Sequence, residues 1–229
     1  MKLAALFSGG KDSTFAISCA QEMGHCVVCL ITMHPKADDS ALFHYPNSWV
    51  TEYLAEAMQL PIIRSQVRGH SKEDEMKALE EIIIQVKSTY GINGIVHGGI
   101  SSNYQKEAFE RVCAQQKIEA VVPLWNLESE RYLNELIRRG FHIIITAVSA
   151  MGLESEWLGR ELNKESIAKL VSLSKKCKFN LTFEGGEAET LVIDCPLYQK
   201  KLHITTAAAY WDGQRGMFEI QDVLLLEKK

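Results

Sequence analysis

Ser8-Gly9-Gly10-Lys11-Asp12-Ser13 is the stretch of sequence that decides the fold. It follows an apolar run, residues 3–7, which predicts a buried strand, and it precedes a helical pattern of apolar residues over 13–23. Its glycines permit backbone conformations that turn amide N–H groups toward an anion, and the positive end of the following helix adds to that attraction. Its lysine supplies a mobile positive charge. A strand, a glycine turn and a helix in this order predict a phosphate-binding loop.

The loop differs from the Walker A phosphate loop. Asp12 stands where a Mg²⁺-binding Ser or Thr would follow the lysine, and the upstream glycine of that motif is missing. The alternative, an ordinary glycine turn with a chance lysine, leaves the fit of all six positions to a phosphate site unexplained. We therefore expect a nucleotide phosphate site of a different type.

Strands alternate with helices through the first half of the chain. Beyond the loop, apolar patterns predict strands at 26–33, 61–67, 94–97 and 119–122, and helices at 48–58, 73–90 and 103–115, the first of them with Ser48 as N-cap. This alternation implies right-handed crossovers and a parallel sheet, and therefore an α/β, Rossmann-like fold. Ligands in such sheets bind beyond the carboxyl ends of the strands, so the segments 8–13, 33–47 and 98–104 should converge on one crevice.

The pattern changes after Pro123. Helices are expected at 131–139 and 164–177 and a strand at 141–147, followed by strand-like stretches at 191–194, 201–206 and 217–225. Strands that follow one another without helices are typical of a smaller α+β domain. We therefore expect a nucleotide-binding domain over residues 1–123 and a second, α+β domain that binds the other substrate over residues 124–229.

Composition narrows the class of protein. The 229 residues carry a formal net charge of −4, whereas a broad nucleic-acid surface needs a basic face, so we expect no extended nucleic-acid surface. No apolar stretch approaches the length of a membrane span, and the apolar run at the N-terminus is too short for a signal peptide. We expect a cytoplasmic protein without membrane contact, its oligomeric state open between a monomer and a homodimer.

Six cysteines are scattered through apolar surroundings, which favours reduced core thiols. Cys26-Val27-Val28-Cys29 has the spacing of a metal or redox pair. However, residues three apart on a strand point to opposite faces. This pair is therefore expected to pack rather than to carry chemistry.

Glu184-Gly185-Gly186-Glu187-Ala188-Glu189-Thr190 is the second unusual stretch. Three carboxylates this close repel one another, so a folded site needs a positive group there, such as Mg²⁺, an ammonium ion or a basic partner. The alternative, a solvated acidic turn, is disfavoured by the buried-looking stretch 192–197 that follows at once. We expect the three glutamates to face the crevice opposite Lys11. Glu187, directly after the two glycines, is the best placed of them to reach a ligand.

The N-terminal hexapeptide is similar to the SGGxDS motif of the N-type ATP pyrophosphatases, the PP-loop superfamily. This resemblance implies an adenine nucleotide alpha hydrolase-like fold and cleavage of ATP between the α and β phosphates, leaving an adenylate and pyrophosphate. It also implies that Lys11 contacts a phosphate, that Asp12 lies near Mg²⁺, and that the backbone of residues 30–33, ending at Met33, faces adenine. The residues that would cradle pyrophosphate are Ser8, Gly9, Gly10 and Ser13.

Further stretches narrow the family. EGGE-x-ET followed by Asp194-Cys195-Pro196-Leu197, together with SGGKDS, resembles the diphthine–ammonia ligase family. Phe43-His44 falls where that family has an aromatic–His pair, residues 99–105 are similar to its G-x-x-S-x-YQ, and residues 149–160 to its SA-x-GL…WLGR. Ala108, where many members carry arginine, and Ala188, where they carry an aromatic residue, depart from the pattern. Both departures are expected to affect binding of the acceptor, the carboxylate substrate, rather than binding of ATP.

The resemblance implies amidation of diphthine, a modified histidine on translation elongation factor 2, with ATP, Mg²⁺ and ammonia. Adenylation would give the carboxylate a good leaving group, and ammonia would then attack. No second, glutaminase-like domain is evident, so free ammonium is the expected nitrogen donor. Lys11, Asp12, Glu187 and Glu189 would act in catalysis. ATP would also contact His44 and Gly99, and the acceptor would contact Tyr104, Gln105, Trp125, Glu184, Gly185, Gly186 and Glu187.

Diphthine also carries a trimethylammonium group, which aromatic faces attract. The candidate rings are Tyr45, Tyr104, Trp125 and Trp157, although tryptophans at such positions are also common in cores. His97, at a strand end, is expected to be structural.

Three other functions stay open. A ligase of the same group that amidates another carboxylate, such as a corrinoid-related one, would carry the same motifs. A tRNA-modifying ATP pyrophosphatase commonly adds basic domains or catalytic cysteine pairs, and neither is evident here. A nucleotide-binding sensor without catalysis would have no need of the acidic stretch at 184–189.

Overall fold

The computed structural model describes residues 1–34, 47–67, 69, 71–100 and 103–228, without the side chains of residues 72, 103–106 and 108. The chain forms two compact units. The first consists of Met1–Ser8 and Asp12–Trp125, and the second of Gly9–Lys11 and Asn126–Lys229. Three residues of the glycine loop therefore pack as part of the second unit.

The first unit is an α/β fold. Its elements are β1 (Lys2–Leu6), α1 (Lys11–Glu22), β2 (Cys26–His34), a 3₁₀ turn (Ser48–Val50), α2 (Thr51–Met58), β3 (Ile62–Gln66), α3 (Lys72–Tyr90), β4 (Gly94–Val96), α4 (Asn103–Gln115) and β5 (Glu119–Val121). The strands form one sheet in the order β3-β2-β1-β4-β5, and all neighbours are parallel. The predicted parallel, Rossmann-like sheet is confirmed.

The strand order creates a switch point between β1 and β4 at the carboxyl ends of the strands, which we call the special edge of the sheet. From β1 the chain proceeds outward through β2 to β3, and it then returns to the other side of β1 for β4 and β5. The segments that follow β1 and β4 therefore leave the same edge of the sheet side by side. In folds of this kind ligands bind at that point. Ser8 follows β1 there, and His97 and Gly98 follow β4.

Burial explains why these segments form these elements. Leu3, Ala4 and Ala5 of β1 are fully buried, as expected for a central parallel strand that is covered on both faces. α3 begins with a capping box between Ser71 and Asp74. Its apolar residues recur with helical spacing and join the same buried cluster as Ala4: Leu79, Ile82, Ile83 and Val86. Among the described residues, no helix is both long enough and apolar enough to cross a membrane.

The CxxC pair lies on β2 with its two thiols in different environments. Cys26 is exposed and Cys29 is buried, which confirms that the strand turns them apart. Burial raises the pKa of the Cys29 thiol to about 12, so this cysteine stays a thiol at physiological pH. Cys29 therefore contributes to packing, as expected, whereas Cys26 is exposed and the expectation of a core thiol is wrong for it.

The second unit is an α+β fold. Its further elements are α5 (Ser129–Arg138), β6 (His142–Val148), a 3₁₀ turn (Ser155–Trp157), α6 (Lys164–Cys177), β7 (Ala188–Asp194), β8 (Lys200–Trp211) and β9 (Gly216–Glu227). The strands form an antiparallel sheet in the order β7-β6-β9-β8. The predicted change to an α+β pattern is confirmed.

Two helices, α4 and α6, have the predicted bounds, whereas the other elements differ from theirs at one end or both, most of them by one or two residues and β8 by five at its end. Three of these differences have a clear origin. α1 begins at Lys11 rather than at residue 13, because the chain enters the helix directly from a turn in which Gly9 has φ +80°. Ser48 lies inside a 3₁₀ turn, so it is not the N-cap that we expected. β7 begins at Ala188, three residues earlier than expected, because pairing with β6 extends to that residue.

His97 is a buried residue of the first unit, with 4% of its surface exposed. The N–H of Gly99 donates to its Nδ1 at 3.2 Å, and its ring centroid lies 4.6 Å from that of Phe109. Burial lowers the pKa of His97 from 6.5 to about 4. A neutral imidazole packed in the core fits the structural role expected for it.

We expect His97 to make the folded state less stable as the pH falls from 6.5 to 4, because in this window the imidazole gains a proton only in the unfolded chain. The loss should approach ~3 kcal/mol near the lower limit, at about 1.4 kcal/mol per pKa unit. His97→Asn, whose Oδ1 can accept the Gly99 N–H, should flatten this part of the pH profile in urea denaturation. If both proteins lose the same free energy of unfolding on acidification, the prediction is wrong.

Candidate functional site

The loop after β1 is closed by its two serines. The N–H of Ser8 donates to Oγ of Ser13 at 3.3 Å, and the two hydroxyl oxygens lie 3.2 Å apart. Because α1 begins at Lys11, the N–H groups of its first turn belong to the loop itself. Such groups, together with the positive end of the helix dipole, favour an anion. The loop therefore has the chemistry of the predicted phosphate site.

Gly98 brings the segment after β4 against the first turn of α1. A Cβ atom at this position would lie 2.5 Å from the carbonyl carbon of Asp12 and 2.7 Å from the backbone nitrogen of Ser13. Only a residue without a side chain permits this approach of two backbones. The two segments that the sheet topology brings to one edge are thus in direct contact.

The backbone of Gly9–Lys11 is held by β7 within the second unit. The N–H of Val192 donates to the Gly9 carbonyl at 2.9 Å, and the N–H of Lys11 donates to Oγ1 of Thr190 at 3.2 Å. Thr190 is the last residue of the EGGE-x-ET stretch. The two unusual stretches of the sequence therefore meet through backbone and hydroxyl groups.

The side chain of Lys11 is buried in the second unit, with 2% exposed. Its Nζ donates to the carbonyl of Thr182 at 2.5 Å and lies 5.3 Å from the ring centroid of Phe183. A buried charge is costly unless it is matched by polar or aromatic groups. The Thr182 carbonyl and the Phe183 ring supply part of that match.

Phe183 has φ +66°, in the left-handed region. A bulky residue adopts this conformation only when its surroundings enforce it, at a cost of about 1–3 kcal/mol. The torsion at Phe183 sets the direction of the peptide that precedes it. It therefore helps to aim the Thr182 carbonyl at Lys11.

Glu187 folds back on its own turn. Its Oε1 accepts the N–H of Asn180 and its Oε2 accepts the N–H of Gly185, both at 2.9 Å. A Cβ at Gly185 would lie 2.8 Å from Oε1, so the glycine makes room for this carboxylate. Backbone donors thus balance the Glu187 charge, and no bound cation is needed to explain it.

The SA-x-GL stretch supports the same turn. The hydroxyl of Ser149 donates to the Gly186 carbonyl at 2.6 Å, and the N–H of Ser149 donates to the Glu187 carbonyl at 2.9 Å. Two motifs far apart in the chain are therefore parts of one hydrogen-bonded turn.

The other predicted residues have separate environments. Glu184 and Glu189 are half-buried, Glu189 on β7 opposite Ala147. Met33 lies in β2 and pairs with Ser65 of β3, and Trp125 is half-buried in the first unit. Tyr104 and Gln105 belong to α4, but their side chains, like all of His44 and Tyr45, lie outside the described residues.

Trp157 is a core residue and not an open aromatic face. It is fully buried, and its ring is covered by Arg160 at 4.9 Å and by Lys169 at 5.5 Å. Its location beside a loop made it a candidate for the trimethylammonium group. That expectation is wrong, because protein cations already occupy the ring.

Asp12 is the candidate ligand for Mg²⁺. In the part of the chain that the structure describes, no group of three or more His, Cys, Asp or Glu residues could hold a metal ion by itself. Mg²⁺ usually binds through one or two carboxylates together with substrate phosphates and water. Asp12, half-buried in the first turn of α1, fits this mode.

Four residues of this arrangement were missed by sequence reasoning. Thr190 and Ser149 were quoted within motifs but given no role. Asn180 and Thr182 precede the acidic stretch and belong to none of the recognised motifs. Asn side chains often accept a backbone N–H two residues further on, and this turn preference was the available indication.

Both halves of the chain match domain profiles of one protein family. The family profile of the diphthamide synthase N-terminal domain matches residues 1–120, and that of the diphthamide synthase C-terminal domain matches residues 128–226. A diphthine–ammonia ligase from Rattus norvegicus is 35% identical over 227 residues, which covers 91% of this chain and 85% of the rat protein. The Schizosaccharomyces pombe protein of the same name is 34% identical over 220 residues, covering 90% of this chain and 36% of that protein.

The solved structures that match this chain include one of weak similarity. It is described as a predicted subunit of tRNA methyltransferase from Methanocaldococcus jannaschii, with 15% identity and a TM-score of 0.41 over 86% of this chain and 98% of that one.

Gly98→Ala should destabilise the first unit, because the added Cβ would meet backbone atoms that cannot turn aside. We expect a loss of about 1–3 kcal/mol in the free energy of unfolding, the usual cost of overpacking. Gly99→Ala is the matched control, since its Cβ would meet only the ring of His97, at 3.0 Å. Chemical denaturation of both variants provides the test, and equal stabilities would contradict the close approach at Gly98.

Proposed function

This chain belongs to the diphthamide synthase family, and we propose that it amidates diphthine on translation elongation factor 2, with ATP and ammonium as co-substrates. The relatives that match over most of the chain are named diphthine–ammonia ligases, which supports this reaction. A cytoplasmic location would follow from such a protein substrate.

The observation that carries the proposal is the loop from Ser8 to Ser13 at the special edge of the parallel sheet. It combines the N-terminal amides of α1, a buried lysine and a half-buried aspartate. We propose that its backbone and serine hydroxyls bind the β and γ phosphates that leave as pyrophosphate. Asp12 would hold Mg²⁺ together with phosphate oxygens, and the ion would neutralise phosphate charge.

In the first step, the carboxylate of diphthine would attack the α-phosphorus of ATP and displace pyrophosphate. Negative charge grows on the leaving phosphates in this step, and a positive group fixed beside them stabilises the transition state. We assign this role to Lys11. Its ammonium is already ordered by the Thr182 carbonyl, so little reorganisation would be needed.

In the second step, ammonia would attack the acyl carbon of the adenylate and displace AMP. The attacking nitrogen must first lose a proton as ammonium, and carboxylates can hold the cation and accept that proton. Glu184, Glu187 and Glu189 were the candidates. Both Glu187 oxygens also accept backbone N–H groups, so Glu187 shapes the turn in addition to any role it has in this step.

The acceptor is best tested in cells. Mass spectrometry of elongation factor 2 from a strain that lacks this gene should reveal unamidated diphthine in place of diphthamide. Normal diphthamide in that strain would exclude the proposed acceptor and leave an amidation of another carboxylate.

With acceptor present, ATP should yield AMP and pyrophosphate, because attack occurs at the α-phosphorus. Lys11→Ala should lower this rate at least ~100-fold, the loss typical of a charge that acts on the transition state. Lys164→Ala, which changes an exposed lysine of α6, is the control and should keep the wild-type rate. Formation of ADP and phosphate would refute the proposed cleavage.

Ammonium salts alone should support turnover by the purified protein. The names of the relatives include ammonia. The ammonium ion that supplies it is a small cation, and it needs only a site that holds such a cation. The rate of amide formation, measured with ammonium chloride or glutamine as the nitrogen source, checks this. Strict dependence on glutamine would contradict it.

A further inference from the structure

The turn over residues 180–187 contains a polar side chain, that of Asn180, which binds the residue two positions further along the chain. Oδ1 of Asn180 accepts the N–H of Thr182 at 2.9 Å and the hydroxyl of Thr182 at 2.8 Å. Asn180 is exposed, whereas Thr182 is buried, with 2% of its surface accessible. A surface amide thus fixes both donors of a buried residue.

Thr182 is therefore constrained on both sides of its carbonyl. On one side its N–H and hydroxyl are bound to Asn180, and on the other side Phe183 is held at φ +66°. These two constraints leave the Thr182 carbonyl in one direction. That carbonyl accepts the hydrogen bond from Lys11 Nζ.

Asn180 is itself fixed by the acidic motif. Oε1 of Glu187 accepts the backbone N–H of Asn180 at 2.9 Å, and the Asn180 carbonyl accepts the N–H of Phe183 at 3.0 Å. The contacts form one continuous series within the second unit, from the Glu187 carboxylate through Asn180 and Thr182 to the Lys11 ammonium.

From this series we infer that Asn180 is a positioning residue for the adenylation step, which acts through the Thr182 carbonyl to hold the Lys11 ammonium in place. The inference rests on the proposed function for the role of Lys11 in catalysis. It does not need that role for the simpler claim that Asn180 immobilises the Lys11 side chain.

The exposure of Asn180 makes it suitable for substitution. Asn180→Ala removes both acceptor bonds to Thr182 but leaves the backbone bonds to Glu187 and Phe183 available. Asn180→Asp keeps the two acceptor bonds, because only Oδ1 is used in them and a carboxylate oxygen accepts equally well. The two variants therefore differ in whether residue 180 can accept the two hydrogen bonds from Thr182.

The first experiment measures pyrophosphate release with saturating ATP and acceptor. Asn180→Ala should lower kcat about 10-fold, the loss of roughly one charged contact in the transition state, and Asn180→Asp should restore most of the rate. An unchanged kcat in Asn180→Ala, or no rescue by Asn180→Asp, would overturn the inference. If Asn180→Ala fails to fold, Thr182→Val, which removes the hydroxyl donor alone, takes its place with a smaller expected loss.

A double-mutant cycle separates positioning of Lys11 from a general structural effect. In a Lys11→Ala background, where no ammonium is left to position, Asn180→Ala should cause no further loss of kcat, measured with radiolabelled ATP. A second loss of the same size would mean that Asn180 supports the fold or the acceptor site, and the inference would be wrong.

A readout that needs no activity distinguishes this inference from the proposed function. Modification of Lys11 by an amine-reactive reagent, followed by mass spectrometry, should be slow in the wild type and at least several-fold faster in Asn180→Ala. Exposed Lys164 is the internal reference. Faster modification with unchanged catalysis would retain the immobilisation of Lys11 and reject its catalytic role, whereas unchanged modification would reject the inference itself.

Discussion

The hydrogen bond between the buried Lys11 ammonium and the Thr182 carbonyl is the interaction on which the turn over residues 180–187 converges. Placing a charge away from water is costly, so the groups around it must be fixed in advance. Here the carbonyl is aimed by a strained Phe183, by Asn180 and indirectly by Glu187. The strain and the closed turn are understandable as the means of holding one buried positive charge in a fixed position.

Much of the fold could be predicted, because it depends on patterns that lie along the chain. Apolar runs between helical repeats fixed the parallel sheet, and the bounds of α4 and α6 followed from periodicity alone. The start of α1 could not be predicted, since Lys11 enters the helix where its N–H meets Thr190, a residue far away in sequence. The start of β7 depends in the same way on its partner β6.

The sequence indicated where the candidate site lies but not which way its side chains point. The acidic motif was recognised by its composition, and mutual repulsion suggested a bound cation. Glu187 instead turns onto the amides of Asn180 and Gly185, which no count of charges reveals. Trp157 shows the same limit, because a tryptophan beside a loop is exposed or buried according to the residues that pack on it, here Arg160 and Lys169.

The position of Ala188 in the fold explains its departure from the family pattern differently from the sequence motif. An alanine in place of the family's aromatic residue was expected to change contacts with the acceptor. However, Ala188 is 5% exposed and pairs with Val148 at the start of β7. A large ring has no room there without a shift of the neighbouring backbone, because protein interiors are close-packed. Any effect of this departure on the acceptor must therefore act through the position of the adjoining Glu187 and Glu189, rather than through a lost aromatic contact.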